Sequence, residues 1–541
     1  MMTRVTGVAA CGERGPRWGL RVALLAALGV GGGTGSACSG DGAASVEGLS
    51  VQLLIAAEDD PFHGVSWVRL LVTGDGLDEP YARFEPYSAG GHASLQGIPF
   101  SQPGEKRYLA VEGWVDVAGK PGYSLSRGRS GAFEYKAGDA VINLQILFAT
   151  VNAFVPLTAI DTGSAQRLAT PRVGHTVTVT QDEVVVAGGG TIIDAGATWW
   201  NGSGFASFTK TVEAVDLGTM TISGRKDMVL PRAWHTGTAL SSGQVIFAGG
   251  YDSSGTPTAA VELYNPPAIT VQQQVLSPMA KARAGHTATV ISDTERLLLF
   301  VGGDAEGTWE LWDPVGGSHG AEPLPDGKRR GYHQATAFTS GANAALQVLI
   351  TGGENDSEVL ATSLVYDAPQ DDVIVIAKPM PGGPRTQHAA VWVPQRSFIY
   401  VAGGFTERDR SVATAAIDVF GTLDTAFRDD NAGFALGTAR GGHDAVLLPD
   451  NVVFMAGGLG AAPTVPLGTV EVIHEFVDAQ TLTLRIAVAS SAPGAVPFLP
   501  EDRVGAHAVA LSNGMALLVG GATVGGTGFA MVSDLWLYNP P

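Results

Sequence analysis

The sequence predicts an all-β protein in two parts, a small β-sandwich over residues 49–152 followed by a seven-bladed β-propeller over residues 153–541. Three observations carry this prediction. A unit of Arg, then His, then a hydrophobic run ending in Gly-Gly recurs seven times after residue 170, and self-similarity at a fixed period marks a repeat architecture. With 73 Gly, 45% hydrophobic and only 16% charged residues, the 541-residue chain has the balance of strands joined by many tight turns. That length also exceeds what one core organises, so a second domain is expected.

The seven units run Pro171–Gly190, Pro231–Gly250, Ala282–Gly303, Arg329–Gly353, Pro384–Gly404, Ala439–Gly458 and Asp502–Gly521. Their histidines are His175, His235, His286, His333, His388, His443 and His507, seven of the 11 in the chain. Their arginines are Arg172, Arg232, Arg283, Arg330, Arg385, Arg440 and Arg503. In six units Arg stands three residues before His; in the seventh it stands four before. The Gly pair ends the second strand, where backbones approach closely and a side chain would clash or forbid positive φ.

A third element follows in each unit, clearest in Val261–Pro266, Trp309–Pro314, Ser363–Asp367 and Leu535–Pro540 and weaker in Val212–Asp216, Ile417–Phe420 and Val470–Ile473. This order resembles the kelch family: Arg-x-x-His, a strand ending in Gly-Gly, then an acidic-aromatic strand ending in Tyr-(Asp/Asn)-Pro. The resemblance covers residues 165–541 and departs from the family pattern in lacking most of the fourth-strand Trp. It implies four antiparallel strands per unit, each blade covered on both faces by its neighbours. The chain stops after the third strand of unit seven, so residues 153–169 are expected to supply that blade's outer strand and close the ring.

In residues 49–152, strand-length apolar runs at Val51–Ile55, Trp67–Thr73, Arg107–Val115, Ala132–Tyr135 and Val141–Phe148 alternate with Gly, Pro, Asp and Ser clusters. Nothing there reads as a helix of ten or more residues, and the spacing fits an immunoglobulin-like sandwich acting as a spacer. His63 and His92 are isolated, and Asp59-Asp60 reads as a turn.

The N-terminus reads as an export signal over residues 1–37: Arg4, Arg14, Arg17 and Arg21, then the apolar Val22–Val30, too short to span a bilayer. Removing it takes four Arg and one Glu, and the net charge from −19 to −22. That charge repels nucleic acid and anionic membrane surfaces. The only cysteines are Cys11 and Cys38, so the exported chain has no internal disulfide. Gly35-Ser36-Ala37-Cys38 resembles a bacterial lipobox, with Gly35 where Leu is usual. The resemblance implies a lipid anchor on Cys38 and residence at the outer membrane or cell surface; an ordinary signal cleaved nearby, with a periplasmic or secreted product, is the alternative. Residues 38–48 are a Gly/Ser/Ala tether.

Chemistry is sought where the units differ. Identical placement of seven Arg and seven His assigns them to the scaffold, since a metal needs three or four converging ligands rather than a uniform ring. No nucleophile elbow, phosphate loop or metal-binding helix motif stands in a suitable context, and no cofactor is expected. The resemblance also brings to mind galactose oxidase, whose copper site needs a Tyr–Cys crosslink; without a propeller cysteine it cannot form here. The reading is a protein- or glycan-binding or scaffold module. A sugar mutarotase, epimerase or lyase on the same fold is the rival, since acid–base work needs only carboxylates and His. In kelch folds the loops after Gly-Gly and before Arg share a ligand face. Those loops here carry Trp199, Trp200, Asn201, Tyr251, Asp252, Asp304, Glu306, Glu354, Asp356, Phe405, Arg408 and Arg410. The adjacent tryptophans could stack on a sugar or anchor a protein.

Overall fold

A computed structural model describes residues 21–26, 49–55, 59–87, 98–136, 142–159, 162, 164–192, 200, 202–267, 274–340, 345–428, 434–460, 465–477, 484–490, 496–525 and 528–540. Cys38, the tether up to residue 48, His92, Trp199, Asn201 and all of the expected signal except 21–26 lie outside the described residues. The chain divides into two units. One comprises Met1–Ala165, Leu511–Met515 and Leu537–Pro541; the other comprises Gln166–Ala510 and Ala516–Trp536. Both are built of strands, and the described residues hold only three short 3-10 turns as helix.

The first unit contains two sheets. One has the order Arg21–Ala26, Leu49–Ile55, Ile142–Leu147, and the other Tyr81–Pro86, Trp67–Gly74, Arg107–Val117, Lys120–Arg129, Ala149–Thr150. Leu49–Ile55 pairs antiparallel with Arg21–Ala26, which falls within the expected signal, and parallel with Ile142–Leu147. Alternate residues of both sheets meet in one core, Val51 and Leu53 from the first against Val68, Leu70, Leu109 and Val111 from the second. The strand expected at Ala132–Tyr135 reduces to a single bridge from Phe133 to Arg107. Lys120–Arg129 forms a strand that apolar periodicity does not predict. Its pairing with Arg107–Val117, which the Ala118-Gly119 turn permits, substitutes for the missing alternation. The chain's end joins this unit: the Asn152 amide donates to the Asn539 carbonyl at 2.7 Å, and the Tyr538 ring lies 5.2 Å from Phe154.

Seven four-stranded sheets account for the repeats. Their first strands are Thr176–Val179, Thr236–Ala239, Thr287–Ser292, Gln334–Ser340, Ala389–Val393, Asp444–Leu448 and His507–Ala510. In the first six sheets the four strands lie side by side in chain order. The first sheet shows the register: Val177 opposite Val186, Val185 opposite Ala214, Val215 opposite Ile222. Each first strand neighbours that of the next sheet, and the seventh neighbours the first, so the seven form a closed cycle. Second strands such as Glu183–Ala187 and Val245–Ala248 are buried along their whole length, which is why their sequence runs apolar without alternating.

In the seventh sheet the order is His507–Ala510, Ala516–Val519, Leu535–Asn539 and then Ala153–Pro156. Further along the same segment, the Leu168 amide donates to the Ser533 carbonyl at 2.8 Å and Arg167 pairs with Asp534 at 2.9 Å. Deleting residues 153–169 removes the buried side chains of Val155, Leu157 and Leu168, each contributing about 1.5–3 kcal/mol. Urea unfolding of the deleted chain is expected at a midpoint lowered by the equivalent of about 5 kcal/mol; an unchanged midpoint refutes the closing role.

The repeat residues hold the sheets. All seven arginines are buried. Arg172 donates to the Gly188 carbonyl (3.0 Å) and the Thr211 carbonyl (2.9 Å) and pairs with Glu213; Arg440 does the same with Gly457, Thr469 and Glu471. Each guanidinium thus ties the Gly-Gly corner of its own sheet to the start of the third strand. The histidines work between sheets. At Gly188 φ is +63°, and a Cβ there would stand 2.5 Å from Cε1 of His235 in the next sheet. His286 against Gly249 and His175 against Gly520 repeat that contact around the cycle.

His507 does not occupy the seventh of these slots. A Cβ on Gly521 would meet the Ala506 Cβ, as one on Gly189 would meet that of His175, so Ala506 fills the slot. The extra residue between Arg503 and His507 moves the imidazole to the first position of its strand, where the first three sheets have Thr176, Thr236 and Thr287.

Candidate functional site

The residue before each slot has positive φ in every sheet: Gly174, Trp234, Gly285, Tyr332, Gln387, Gly442 and Gly505 lie between +50° and +65°. This left-handed turn points peptide groups along the cycle. Trp234 donates its amide to the Gly174 carbonyl (2.8 Å), Tyr332 to Gly285 (2.7 Å), Gln387 to Tyr332 (3.0 Å) and Gly442 to Gln387 (2.9 Å). Gly adopts the turn without cost, whereas Trp, Tyr and Gln do so against about 1–2 kcal/mol each. Strain of that kind is retained where the surrounding structure uses the side chain.

These turns and the first strand residues beyond them line a cavity of about 360 Å³. The departures from the repeat gather around it. The Trp234 and Tyr332 rings meet edge to face at 5.4 Å. The Tyr332 hydroxyl donates to the Trp200 carbonyl and accepts from Tyr251 at 3.0 Å. Burial, reinforced by Tyr251, holds the Tyr332 phenol well above its usual pKa, so it stays neutral. Arg410, also at positive φ (+63°) and fully buried, grips both Glu354 oxygens at 2.6 and 3.0 Å and lies 4.7 Å from the Trp200 ring centre. Its Nε donates to Gln387 Oε1 at 3.3 Å.

Opposite these aromatics, Asp444 and His507 also line the cavity. His507 Nδ1 donates to Asp444 Oδ2 at 3.2 Å, and the Ala508 amide donates to the same oxygen at 3.0 Å. The carboxylate thereby orients the ring through Nδ1 and leaves Nε2 outside that bond. With side chains 37% and 33% exposed, this pair is the wettest titratable group in the lining. Burial, with a neighbouring Arg as the second cause, instead drives His286 and His443 down to about 3 and leaves them neutral.

Of the residues expected on the ligand face, the structure brings together Trp200, Tyr251, Glu354 and Arg410. The other described ones go elsewhere. Asp304 is buried against Arg283 at 2.9 Å, because the arginine claims it for the corner. Phe405 is fully buried in an apolar cluster with Val173, Phe205 and Leu459, in the space that the missing side chain of Gly441 leaves. Asp252 accepts from Ser254 and Thr256 inside its own turn. Glu306 pairs with Lys281 (2.6 Å), Asp356 pairs with Arg329, and Arg408 is exposed, its carbonyl accepting from Arg410. Trp200 is spent on Arg410 and Tyr332 rather than presented as an open sugar platform. Sequence reasoning passed over Trp234, Tyr332, Gln387 and Asp444. Their signal stood in the repeat itself: three units carry Trp, Tyr or Gln where four carry Gly before the slot, and one carries Asp just after it.

Among the described residues no group of three or more His, Cys, Asp or Glu side chains could hold a metal ion. No protein-family profile matches the chain. A solved structure titled "Structure of YjhT" aligns over 68% of this chain and 95% of its own, at 13% sequence identity and a TM-score of 0.38.

Proposed function

We propose that the chain is an exported binding protein of the bacterial cell envelope, anchored by lipid on Cys38. In this reading an immunoglobulin-like spacer carries a seven-bladed kelch-type β-propeller whose axial cavity takes a small, glycan-type ligand. One observation carries it: the residues that break the sevenfold pattern collect at one cavity, and its volume falls in the range of small-molecule sites. A scaffold with no ligand of its own would have no use for three strained non-glycine turns around its axis.

The test is a thermal-shift screen of mono- and disaccharides against the full chain and Gln334→Trp, which fills the cavity from its lining. A saturating ligand, at about 100 times its Kd, stabilises the folded state by about 2.7 kcal/mol. That shift is expected for wild type and lost in Gln334→Trp; a shift that persists undiminished in the variant refutes the cavity as the site. The His507–Asp444 pair favours a second reading, acid–base turnover of the bound sugar. Under it, ligands from the screen change chemically in NMR spectra with wild type and stay unchanged with His507→Gln, while binding is retained.

A further inference from the structure

We propose that the seam between the fifth and sixth sheets is a hydroxyl-binding subsite for a neutral polyol, read by Gln387 and His443 with Asp444 beside them. The proposal rests on the cavity reading above and names the ligand's class.

Gln387 lines the cavity, is 7% exposed, and holds a strained φ of +50°. Its amide cannot be turned end for end, because Arg410 Nε is a donor and must face Oε1. Arg410 is in turn locked by its two bonds to Glu354. Gln387 Nε2 is therefore presented as a donor, and it has no hydrogen-bond partner among the described residues. A buried donor left unmade is costly and calls for an explanation; a ligand oxygen supplies one.

The next sheet repeats the situation. His235, His286, His333 and His388 each share a hydrogen bond with a threonine hydroxyl through Nε2, at 3.3, 3.2, 2.9 and 2.8 Å. His443 has none, because the position that carries the threonine in the first three sheets is Ala389 in the fifth. Both of its ring nitrogens are buried without partners, and the residue lines the same cavity. The two residues are neighbours, since the Gly442 amide donates to the Gln387 carbonyl at 2.9 Å. A neutral imidazole offers one donor and one acceptor, which with the Gln387 donor suits hydroxyls that both give and take a proton.

Charge sets the class. The lining contains no Lys or Arg, and Arg410 behind the wall is neutralised by Glu354, so a ligand carboxylate finds no cation and meets Asp444. An ammonium would find only that carboxylate, whose oxygens already accept from His507, Ala508 and Ala445. A neutral polyhydroxylated molecule avoids both mismatches.

The test is titration calorimetry of the full chain with myo-inositol, D-glucose and D-galactose, with D-gluconate and D-glucosamine as charged counterparts. At least one neutral polyol is expected to bind at least tenfold more tightly than both charged compounds. Gln387→Met is expected to lose at least tenfold in that affinity with little change in melting temperature, because the orphan Nε2 goes while Arg410 Nε loses its acceptor. Gln387→Asn, which keeps the amide but withdraws it by one methylene, covers the case in which the methionine variant does not fold, and is expected to lose as much. Equal binding by wild type and both variants overturns the proposal, as do charged compounds binding as well as neutral ones or no polyol binding at all. A charged ligand whose binding disappears in Gln334→Trp overturns the polyol subsite and leaves the cavity reading standing. Binding indifferent to Gln334→Trp overturns the cavity reading itself.

Discussion

Between about pH 6.5 and pH 4 the second unit is expected to lose stability far more steeply than carboxylate titration alone would cause. Burial above all, and nearby arginines, push His175, His235, His286, His333, His388 and His443 down, to about 3 for His286 and His443. Unfolded, each returns to the ordinary value of about 6.5. Below that pH the unfolded chain binds protons that the folded chain refuses, so falling pH favours unfolding until the folded-state values are reached. One such histidine contributes about 1.4 kcal/mol per pH unit and six together about 8 kcal/mol per unit. The measurement is the urea midpoint at half-unit steps from pH 7 to pH 4.5, converted to protons taken up on unfolding. A value near six is expected, falling by about one in His286→Gln. Uptake below two would show that the ring histidines protonate in the folded state.

Removing one repeat guanidinium is expected to cost about 3–5 kcal/mol, because it leaves a buried carboxylate uncompensated. Arg283 is the sharpest case. It is fully buried and meets two carboxylates, Glu310 at 2.9 Å and Asp304 at 2.9 Å, exposed by 0% and 2%. It also donates to the Gly302 and Thr308 carbonyls at 2.8 and 2.9 Å, so Arg283→Met orphans acceptors on two strands as well. Lys281→Met is the contrast. Its pair with Glu306 is exposed, and such pairs are worth about 0–1 kcal/mol. Denaturant unfolding of the two variants should separate them by at least 2 kcal/mol; equal small losses would mean that the guanidinium is dispensable to the corner.

The repeat scaffold was legible because its requirements are local and recur. The Gly pair, the Arg that bonds it and the strand that follows are read within some 40 residues, and each unit restates them. Two features of the scaffold were not. Lys120–Arg129 in the first unit owes its strand state to backbone pairing rather than alternation. The seventh histidine, one residue out of step, looks like its counterparts in sequence, and only the contact of Gly521 with Ala506 shows which residue fills the slot. On the ligand face, position in the loops after Gly-Gly named Trp200, Tyr251, Glu354 and Arg410 but equally named Asp304 and Phe405. Whether a carboxylate faces solvent or an arginine, and whether a ring is presented or packed, depends on partners that sequence proximity does not reveal.

By itself the sequence determined an all-β chain of repeated Arg–His–Gly-Gly units, because close backbone approach and buried charge compensation demand the same few residues each time. Tertiary structure alone decided where those units leave something unmet. Tyr251 and Tyr332 are 81 residues apart, Glu354 and Arg410 are 56 apart, and Trp200 and Tyr332 are 132 apart, yet they join in one network behind Tyr332 and Gln387, which line the cavity. Closing the first strands into a cycle sets side chains from distant units face to face, and only there does the unpartnered Nε2 of Gln387 become visible.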